Sequence, residues 1–279
     1  MRRSIFLLAS FLLIGNISFA QDSRFGVPNL IAYDKERFHW GFSLGMDIVD
    51  VNLKTKSNYN NISFGPDNPV MEIHPTDPNT PFNSALAFNV GIVANMRLGE
   101  YFDLRFIPSF SVDHLINLRY RFTKALYSTN GNQNFDTATL DKPIYSHYIN
   151  FPLFFKFKSS RMHNVRLYVI AGGQIRVNIE TRKGDKKLSF SSAEDILPII
   201  KPWDTQVIGG FGFDFYTTYF KLSTEFKVAF GVIDMLEKRP KRIDPDGNPV
   251  KINDYLDSPF IKGIQSLKSK TFTISFIFE

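Results

Sequence analysis

Cysteine is absent from the 279 residues, which excludes a disulfide scaffold, a thiol nucleophile, a cysteine-ligated metal site and a lipoprotein lipidated on cysteine. A long apolar run is also missing, since the longest, over residues 5–14, has about ten residues against the ~20 of a membrane-spanning helix. The net charge of +6 is too small, and too mixed in sign, to indicate nucleic-acid binding. Phenylalanine, in contrast, occurs 29 times. A soluble core seldom needs so many, whereas a surface that faces lipid can use them.

The N-terminus has the three parts of a secretory signal peptide. Arg2 and Arg3 form the basic start, the apolar run follows, and Ser18 and Ala20 place small residues at −3 and −1 before Gln21. We therefore predict a cleaved signal over residues 1–20, a short periplasmic segment over residues 21–37 and one domain over residues 38–279. Such a chain leaves the cytoplasm and is either soluble outside it or inserted in an outer membrane.

Beyond residue 37, apolar and polar residues alternate with a period of two. Because successive side chains of a strand point to opposite faces, each alternating stretch predicts a two-faced β-strand. Eight strands are predicted in this way, over residues 38–48, 86–96, 102–112, 145–158, 165–177, 207–215, 220–230 and 272–278.

The two faces of these strands differ in size. One face carries bulky Phe and Leu, and the other carries Gly and small residues with single charges between them. A soluble sandwich buries its apolar face, whereas a narrow membrane barrel turns that face to lipid and holds small residues and paired charges inside. The barrel predicts ten inward charges that pair with one another, namely Arg97, Asp103, Arg105, Lys156, Arg166, Arg176, Asp214, Lys221, Glu225 and Lys227. A soluble, exported sandwich is the alternative.

The connections between the predicted strands alternate in length. Three are short, over residues 98–101, 159–164 and 217–218, and four are long, over residues 51–82, 119–143, 180–203 and 234–266. Long external loops and short periplasmic turns are typical of outer-membrane proteins. We therefore predict an all-β fold, an eight-stranded antiparallel transmembrane β-barrel with four long external loops and three short periplasmic turns. Aromatic residues expected at the two membrane interfaces are Trp40, Tyr101, Tyr216 and Tyr219 at the short-turn end, and Tyr145 and Trp203 at the other.

Apparent catalytic motifs are few. Residues 41–45, Gly-Phe-Ser-Leu-Gly, match the sequence pattern of a nucleophile elbow. That motif needs a helix after the serine, whereas here the strand pattern continues. His114 beside Asp113 is the one pair near a predicted external rim, and no histidines have metal-ligand spacing. We predict no enzyme activity, no catalytic residue, no metal and no cofactor, with a rim-active outer-membrane enzyme as a remote alternative.

The predicted loops and the last strand indicate which partners the chain has. The basic run 238–242 is predicted to face outward, where it is either a solvated loop tip or a contact for lipopolysaccharide phosphates or an acidic partner. Residues 271–279 form an amphipathic aromatic ending that resembles the signal read by barrel-assembly machinery, although Glu279 and not Phe is the last residue. We expect contacts with outer-membrane lipid and lipopolysaccharide, with the barrel-assembly machinery during insertion, and with no nucleic acid.

Several of the predicted strands also share a pattern with one known family. Residues 39–46, 148–157, 168–173, 209–214 and 221–231 resemble, in the same order, the strand motifs of the PorT/SprT family. The resemblance implies an integral outer-membrane β-barrel that is associated with type IX secretion and, in some species, with gliding motility. It also implies other secretion-system proteins as partners. From composition and periodicity alone, a stand-alone structural or adhesive outer-membrane barrel is equally compatible.

Overall fold

A computed structural model describes residues 28–57, 71–74, 85–127, 133–179, 200–238 and 259–279. The predicted signal over residues 1–20 lies outside the described residues, as do residues 239–242 of the basic run and much of the predicted long loops. Within the described ranges, no helix combines the length and apolar character needed to cross a membrane.

The described chain is almost entirely β-structure. Its strands are β1 (Phe38–Thr55), β2 (Met71–His74), β3 (Ala85–Arg97), β4 (Phe102–Phe106), β5 (Ser109–Tyr127), β6 (Gln133–Lys158), β7 (Val165–Asn178), β8 (Trp203–Tyr216), β9 (Lys221–Gly231) and β10 (Ile264–Phe278). A 3₁₀ turn precedes them at Tyr33–Lys35, and a one-turn helix, α1 (Pro259–Lys262), precedes β10.

The sheet closes on itself. Strand β1 pairs with β10 on one side and with β3 on the other, and every pairing in the sheet is antiparallel. From β10 the order runs through β9, β8, β7 and β6 to β4 and β5, which lie end to end between β6 and β3. Within the closed ring each strand has a neighbour on both sides, as a bilayer requires, and β2 lies outside the ring with β5 as its neighbour.

The prediction of eight strands with simple loops is corrected in two places. The predicted strand over residues 102–112 is divided into β4 and β5 at Ile107–Pro108, because proline has no backbone N–H to donate to the ladder. The stretches predicted as loops 51–82 and 119–143 contain further strand: β2 pairs with β5, and β5 and β6 continue as a hairpin from Arg119–Asp141 to Tyr127–Gln133. Ten strands are therefore present among the described residues.

The faces of the ring have the polarity predicted for a membrane barrel. Trp40, Phe88 and Phe155 are more than half exposed on the outside, and further members of the predicted apolar face whose side chains are described, such as Phe42 and Phe211, are exposed with them. The inside is lined by buried polar residues, among them Ser43, Asn95 and Ser275. An apolar outside of this extent would be unstable in water but matches hydrocarbon.

Candidate functional site in the barrel interior

The interior of the ring gathers the charges predicted from the strand pattern. Asp103, Arg105, Lys156, Arg166, Arg176, Asp214, Lys221 and Glu225 are all buried, and Arg97 and Lys227 are partly buried. The prediction that these side chains face inward is therefore confirmed for eight residues and holds in part for the other two. These buried charges need partners of opposite sign, because an uncompensated buried charge costs several kcal/mol.

An ion-pair layer crosses the interior near the short-turn end, the end of the ring that carries the connections 98–101, 159–164 and 217–220. Arg105 lies at its centre, with Nη1 2.5 Å from Glu225 Oε1 and Nη2 3.2 Å from Glu279 Oε2. Lys221 Nζ lies 2.5 Å from the same Glu279 oxygen, and Lys156 Nζ lies 2.8 Å from Asp214 Oδ2. The layer thus ties β4, β6, β8 and β9 to the residue that follows β10.

Tyr168 of β7 completes this ion-pair layer. Its hydroxyl donates a hydrogen bond to Glu225 Oε1 at 2.9 Å, and Lys156 Nζ lies 3.5 Å from the centre of its ring. Gly212, its cross-strand partner on β8, makes room for the ring, because a Cβ at Gly212 would lie 2.5 Å from the tyrosine Cζ. Glycine is needed at this position for close approach and not for an unusual backbone angle.

Gly212→Ala is therefore expected to destabilise the barrel by about 1–3 kcal/mol, because the methyl group would displace Tyr168 from Glu225 and Lys156. Gly209, three residues earlier on β8, is exposed on the outside and has no atom within 4 Å of an added Cβ. Gly209→Ala is the matched control and should leave stability unchanged or slightly raised. Urea titration in lipid vesicles measures both, and equal losses would contradict the placement of Tyr168.

Above the ion-pair layer, toward the long-loop end, the interior becomes apolar. We call this level the apolar belt; its buried members are Val93, Ile107, Phe154, Ile208, Ala229 and Ile277. Phe154 and Ile277 lie two residues from the inward-facing Lys156 and Glu279, on the side toward the long-loop end, whereas Ile208 has Gly210 in the corresponding place. The belt therefore adds a dry level to the charged one, and ions cross such a level only at a high desolvation cost.

A polar cavity of about 50 Å³ lies above the belt, lined in part by Asp47, Asn89, Asn150, Gln174 and Arg176. It has room for a few waters but is far below the ~300 Å³ of typical small-molecule sites. Asn89 Nδ2 donates to Asp47 Oδ1 at 2.9 Å, and Arg176 Nε donates to Asn150 Oδ1 at 3.2 Å. Polar groups that line the cavity thus bond one another.

Buried apolar residues also occupy the long-loop end. Val49 and Val51 of β1 are each about 5% exposed there, and Met235 and Leu236, which follow β9, are each 1% exposed. The Met235 N–H donates to the Leu267 carbonyl at 2.8 Å, which holds this segment against β10. Sequence reasoning had assigned residue 235 to a long loop, because no alternating pattern marks it.

The short-turn end is filled by a segment that enters from the N-terminal side. We call Asn29–Lys35 the mouth segment. The Tyr33 ring stacks on His39 at 3.9 Å between centroids, and Asp34 lies 2.8 Å from Arg166 Nη1 and 3.3 Å from Arg161 Nη1. A void of about 10 Å³ lies in this mouth, which is room for about one water.

The mouth segment was missed as a functional element by the sequence analysis, which treated residues 21–37 only as a short periplasmic segment. Tyr216, predicted as an interfacial aromatic, is 3% exposed and faces the interior, where its hydroxyl lies 3.2 Å from Asp34 Oδ1. The prediction for Tyr216 was wrong. The period of two places Tyr216 on the same inward face as Asp214, but the prediction followed from its position near a turn. Trp40, Tyr101 and Tyr219 are exposed on the outside as predicted.

The two arginines control the ionisation of Asp34. Partial burial by itself would raise the pKa of this carboxyl, but the charge of Arg166 and the hydrogen bonds from Arg166 and Arg161 outweigh it and hold the pKa below its ordinary value. A lowered pKa in the bound state means that the contact is complete above about pH 4, the ordinary pKa of aspartate, and weakens as the pH falls further.

A nitroxide attached through Lys35→Cys should therefore become more mobile on acidification below about pH 4. The label is specific because the chain has no native cysteine, and Lys35 is exposed. The same label in an Asp34→Asn background should be mobile at pH 7 and insensitive to acid. Mobility that stays constant down to pH 3 in both chains would contradict the role given to Asp34.

The structure does not assemble the catalytic motifs that the sequence contains. Ser43 lies in the uninterrupted strand β1 with its side chain buried, and Gly41 is packed so closely that a Cβ would overlap the Phe278 carbonyl. A nucleophile elbow is thus absent at residues 41–45. The backbone of Asp113 and His114 lies in β5, and their side chains are outside the described part of the chain. Among described residues, no three His, Asp or Glu side chains are grouped as metal ligands.

Comparison with known proteins agrees with this architecture. Residues 19–237 match the model of the family described as outer membrane protein beta-barrel domain. The chain belongs to this family. No curated protein matches this barrel. Among solved structures, it is similar to the crystal structure of the outer membrane protein OprG from Pseudomonas aeruginosa, with 10% identity, a TM-score of 0.37, and coverage of 91% of this chain and 96% of that chain.

Proposed function

We propose that this outer-membrane barrel is a non-conducting, non-enzymatic accessory of a protein-secretion apparatus, which acts through contacts at its two ends and not through its interior. The observation that carries the proposal is the filled interior. The ion-pair layer, the apolar belt and the mouth segment lie one above another, so a polypeptide crossing the barrel would have to displace all three. A barrel of this kind serves secretion by holding or assembling other components.

The type IX secretion and gliding role comes from the resemblance of the strand motifs to the PorT/SprT family. It is part of the proposal, as are other secretion-system proteins, the partners that this resemblance implies, and the barrel-assembly machinery, the partner that the aromatic ending over residues 271–279 indicates. In the proposed orientation the short-turn end faces the periplasm and the long-loop end faces outward. Lys238, the described residue of the basic run, is more than half exposed and lies 3.0 Å from Asp234, which is compatible with a lipopolysaccharide contact further along that run.

Deletion of the gene tests the secretion role. We expect cargo proteins to accumulate in the periplasm, and expect secretion to return on expression of the intact chain. Levels of an unrelated outer-membrane protein serve as the control for general envelope damage. Normal secretion in the deletion strain would contradict the proposal.

A second candidate, a stand-alone structural or adhesive barrel, is favoured by the extended hairpin of β5 and β6. From Arg119–Asp141 to Tyr127–Gln133 this hairpin continues past the stretch predicted to lie in the membrane, and β2 adds a third strand to it. Paired strands that project outward are a stiff surface for a partner or for another cell. Removal of residues 120–140 separates the candidates, because lost surface attachment with normal secretion would favour the adhesive role.

A further inference from the structure

The mouth segment is joined to the barrel differently from every described strand around it. Apart from the 3₁₀ turn at Tyr33–Lys35, Asn29–Lys35 has no regular structure, and none of these residues pairs with a strand. Its attachment to the barrel comes from its side chains and from single backbone groups that meet barrel residues. Such contacts resemble those of a bound peptide more than those of a folded wall.

The first recognition element is an aromatic pocket for Tyr33. Its ring stacks on His39, meets Tyr216 edge-on with centroids 6.2 Å apart, and has Lys221 Nζ 4.5 Å from its centre. His39 Nε2 also bonds the Tyr33 carbonyl at 2.8 Å. Stacked and edge-on rings with a cation over the face are the standard means of holding an aromatic side chain.

The second element is a pair of guanidinium groups that bind a carboxylate. Arg166 donates to both oxygens of Asp34, at 2.8 and 3.2 Å, and Arg161 donates to Oδ2 at 3.3 Å. Fork-shaped arginine donors recognise carboxylates with defined geometry. Lys158, which lines the same mouth, lies 2.7 Å from Asp103, so the mouth already has a carboxylate for that cation.

The third element is a set of hydrogen bonds at Asn29, two of which involve its backbone groups. The Asn29 N–H donates to Asn164 Oδ1 at 2.9 Å, and the Asn29 side chain donates to the Tyr216 carbonyl at 3.1 Å. Arg161 Nη2 donates to the Asn29 carbonyl. Backbone bonds together with an aromatic pocket and a carboxylate site define a peptide of particular chemistry, with an aromatic residue followed directly by an acidic one.

The binding of the mouth segment to the barrel is limited in strength. Leu30 has a φ of 51°, a left-handed conformation that is unfavourable for a residue with a Cβ. Asp34 is 29% exposed, and Ile31, Ala32 and Lys35 are exposed as well. Arg166 is 8% exposed with the segment in place, and a mouth without a carboxylate would leave its guanidinium without the two oxygens that it binds. When the mouth segment leaves, these features favour its replacement by another acidic ligand over a mouth that stays empty.

We propose that the short-turn mouth is a binding site for a short peptide that presents, in a turn, an aromatic residue followed by an acidic one, and that the chain's own mouth segment occupies it as an exchangeable ligand. The ligand supplied from outside is such a segment of a partner protein at the periplasmic face. The proposal goes beyond the secretion role, because binding in purified components does not depend on which process the barrel serves.

A labelled peptide with the sequence of residues 28–37 tests the proposal on the full chain, refolded in detergent, by fluorescence anisotropy. The double variant Tyr33→Ala/Asp34→Asn should bind this peptide about tenfold more tightly than the unchanged chain, whose own segment competes. A control peptide that carries Ala and Asn at the same two places should bind about tenfold more weakly, and adding Arg166→Gln to the double variant should have a similar effect. Equal binding of the two peptides, or no binding by the folded double variant, would overturn the proposal.

A second measurement covers the case in which the double variant does not fold. The otherwise unchanged chain carries a nitroxide through Lys35→Cys, and unlabelled peptide is added in excess. We expect the label to become mobile as the peptide replaces the mouth segment, while a label through Tyr219→Cys in the exposed turn after β8 should not change. An immobile label at residue 35 at saturating peptide shows that the segment is a fixed part of the barrel, which contradicts exchange.

Discussion

Arg105→Met is expected to lower the free energy of unfolding by about 3–5 kcal/mol, one of the two largest effects that the structure predicts. The arginine is fully buried and is the shared partner of Glu225 and Glu279, whose side chains are also 0% exposed. Methionine fills much of the volume but leaves two carboxylates with less compensation. Urea titration in phospholipid vesicles, followed by the fluorescence of the two tryptophans, measures the loss.

A compensating change distinguishes lost charge balance from lost packing. Arg105→Met/Glu225→Gln removes one of the carboxylates and should recover a substantial part of the stability. Glutamine can still accept the hydrogen bond from Tyr168, so the surrounding contacts are retained. If the double variant is as unstable as the single one, the loss comes from packing, and the ion-pair layer is not what stabilises the interior.

Phe106→Arg is the second large effect, with an expected loss of about 2–4 kcal/mol. Phe106 ends β4, pairs with Leu153 and Ala94, and is exposed on the outside of the ring. An arginine there would meet hydrocarbon near the junction of β4 and β5, away from the short-turn end, where a charge is costly. The same vesicle titration measures the change.

Phe106→Leu is the matched control, since it shortens the side chain but keeps it apolar, and it should cost less than about 1.5 kcal/mol. The comparison is informative only in a bilayer, because detergent can adapt around a charge. A harmless Phe106→Arg in vesicles would mean that this face of the ring does not contact lipid.

The faces of the strands could be predicted from sequence because the bilayer imposes a single rule on all of them. Phe38, Trp40 and Phe42 face lipid while His39 and Ser43 face inward, and no distant contact is needed to know this. The closure of the ring and the inward placement of Arg105, Lys156 and Glu225 follow from the same alternation. These parts of the fold were predicted correctly.

This rule does not show where a strand ends beyond the bilayer. Residues 118–123 do alternate, with Leu118, Tyr120 and Phe122 between polar residues, but the stretch was predicted as part of a long loop. Pro108 interrupts the strand between β4 and β5 although the apolar period continues through it. Predicted strand ends were therefore wrong where the chain leaves the membrane or meets proline.

The candidate site was predictable as a set of charges but not as a set of pairs. Arg105 meets Glu225, which is 120 positions further along the chain, because of the register and tilt of strands that a single sequence does not reveal. The mouth segment was missed for the same reason. Tyr33 and Asp34 have no periodic pattern, and their partners Arg161, Arg166 and Tyr216 lie more than 120 residues away.

Ion conductance across planar bilayers tests whether the interior of the membrane-inserted barrel is closed. The refolded chain is added to one planar bilayer, and a porin is added to a second bilayer of the same lipid as the positive control. Insertion of the chain is verified by its flotation with vesicles of that lipid. We predict no stepwise conductance above that of bare lipid, because the ion-pair layer and the apolar belt leave no water-filled path. Discrete, reproducible conductance steps from the inserted chain would contradict the account.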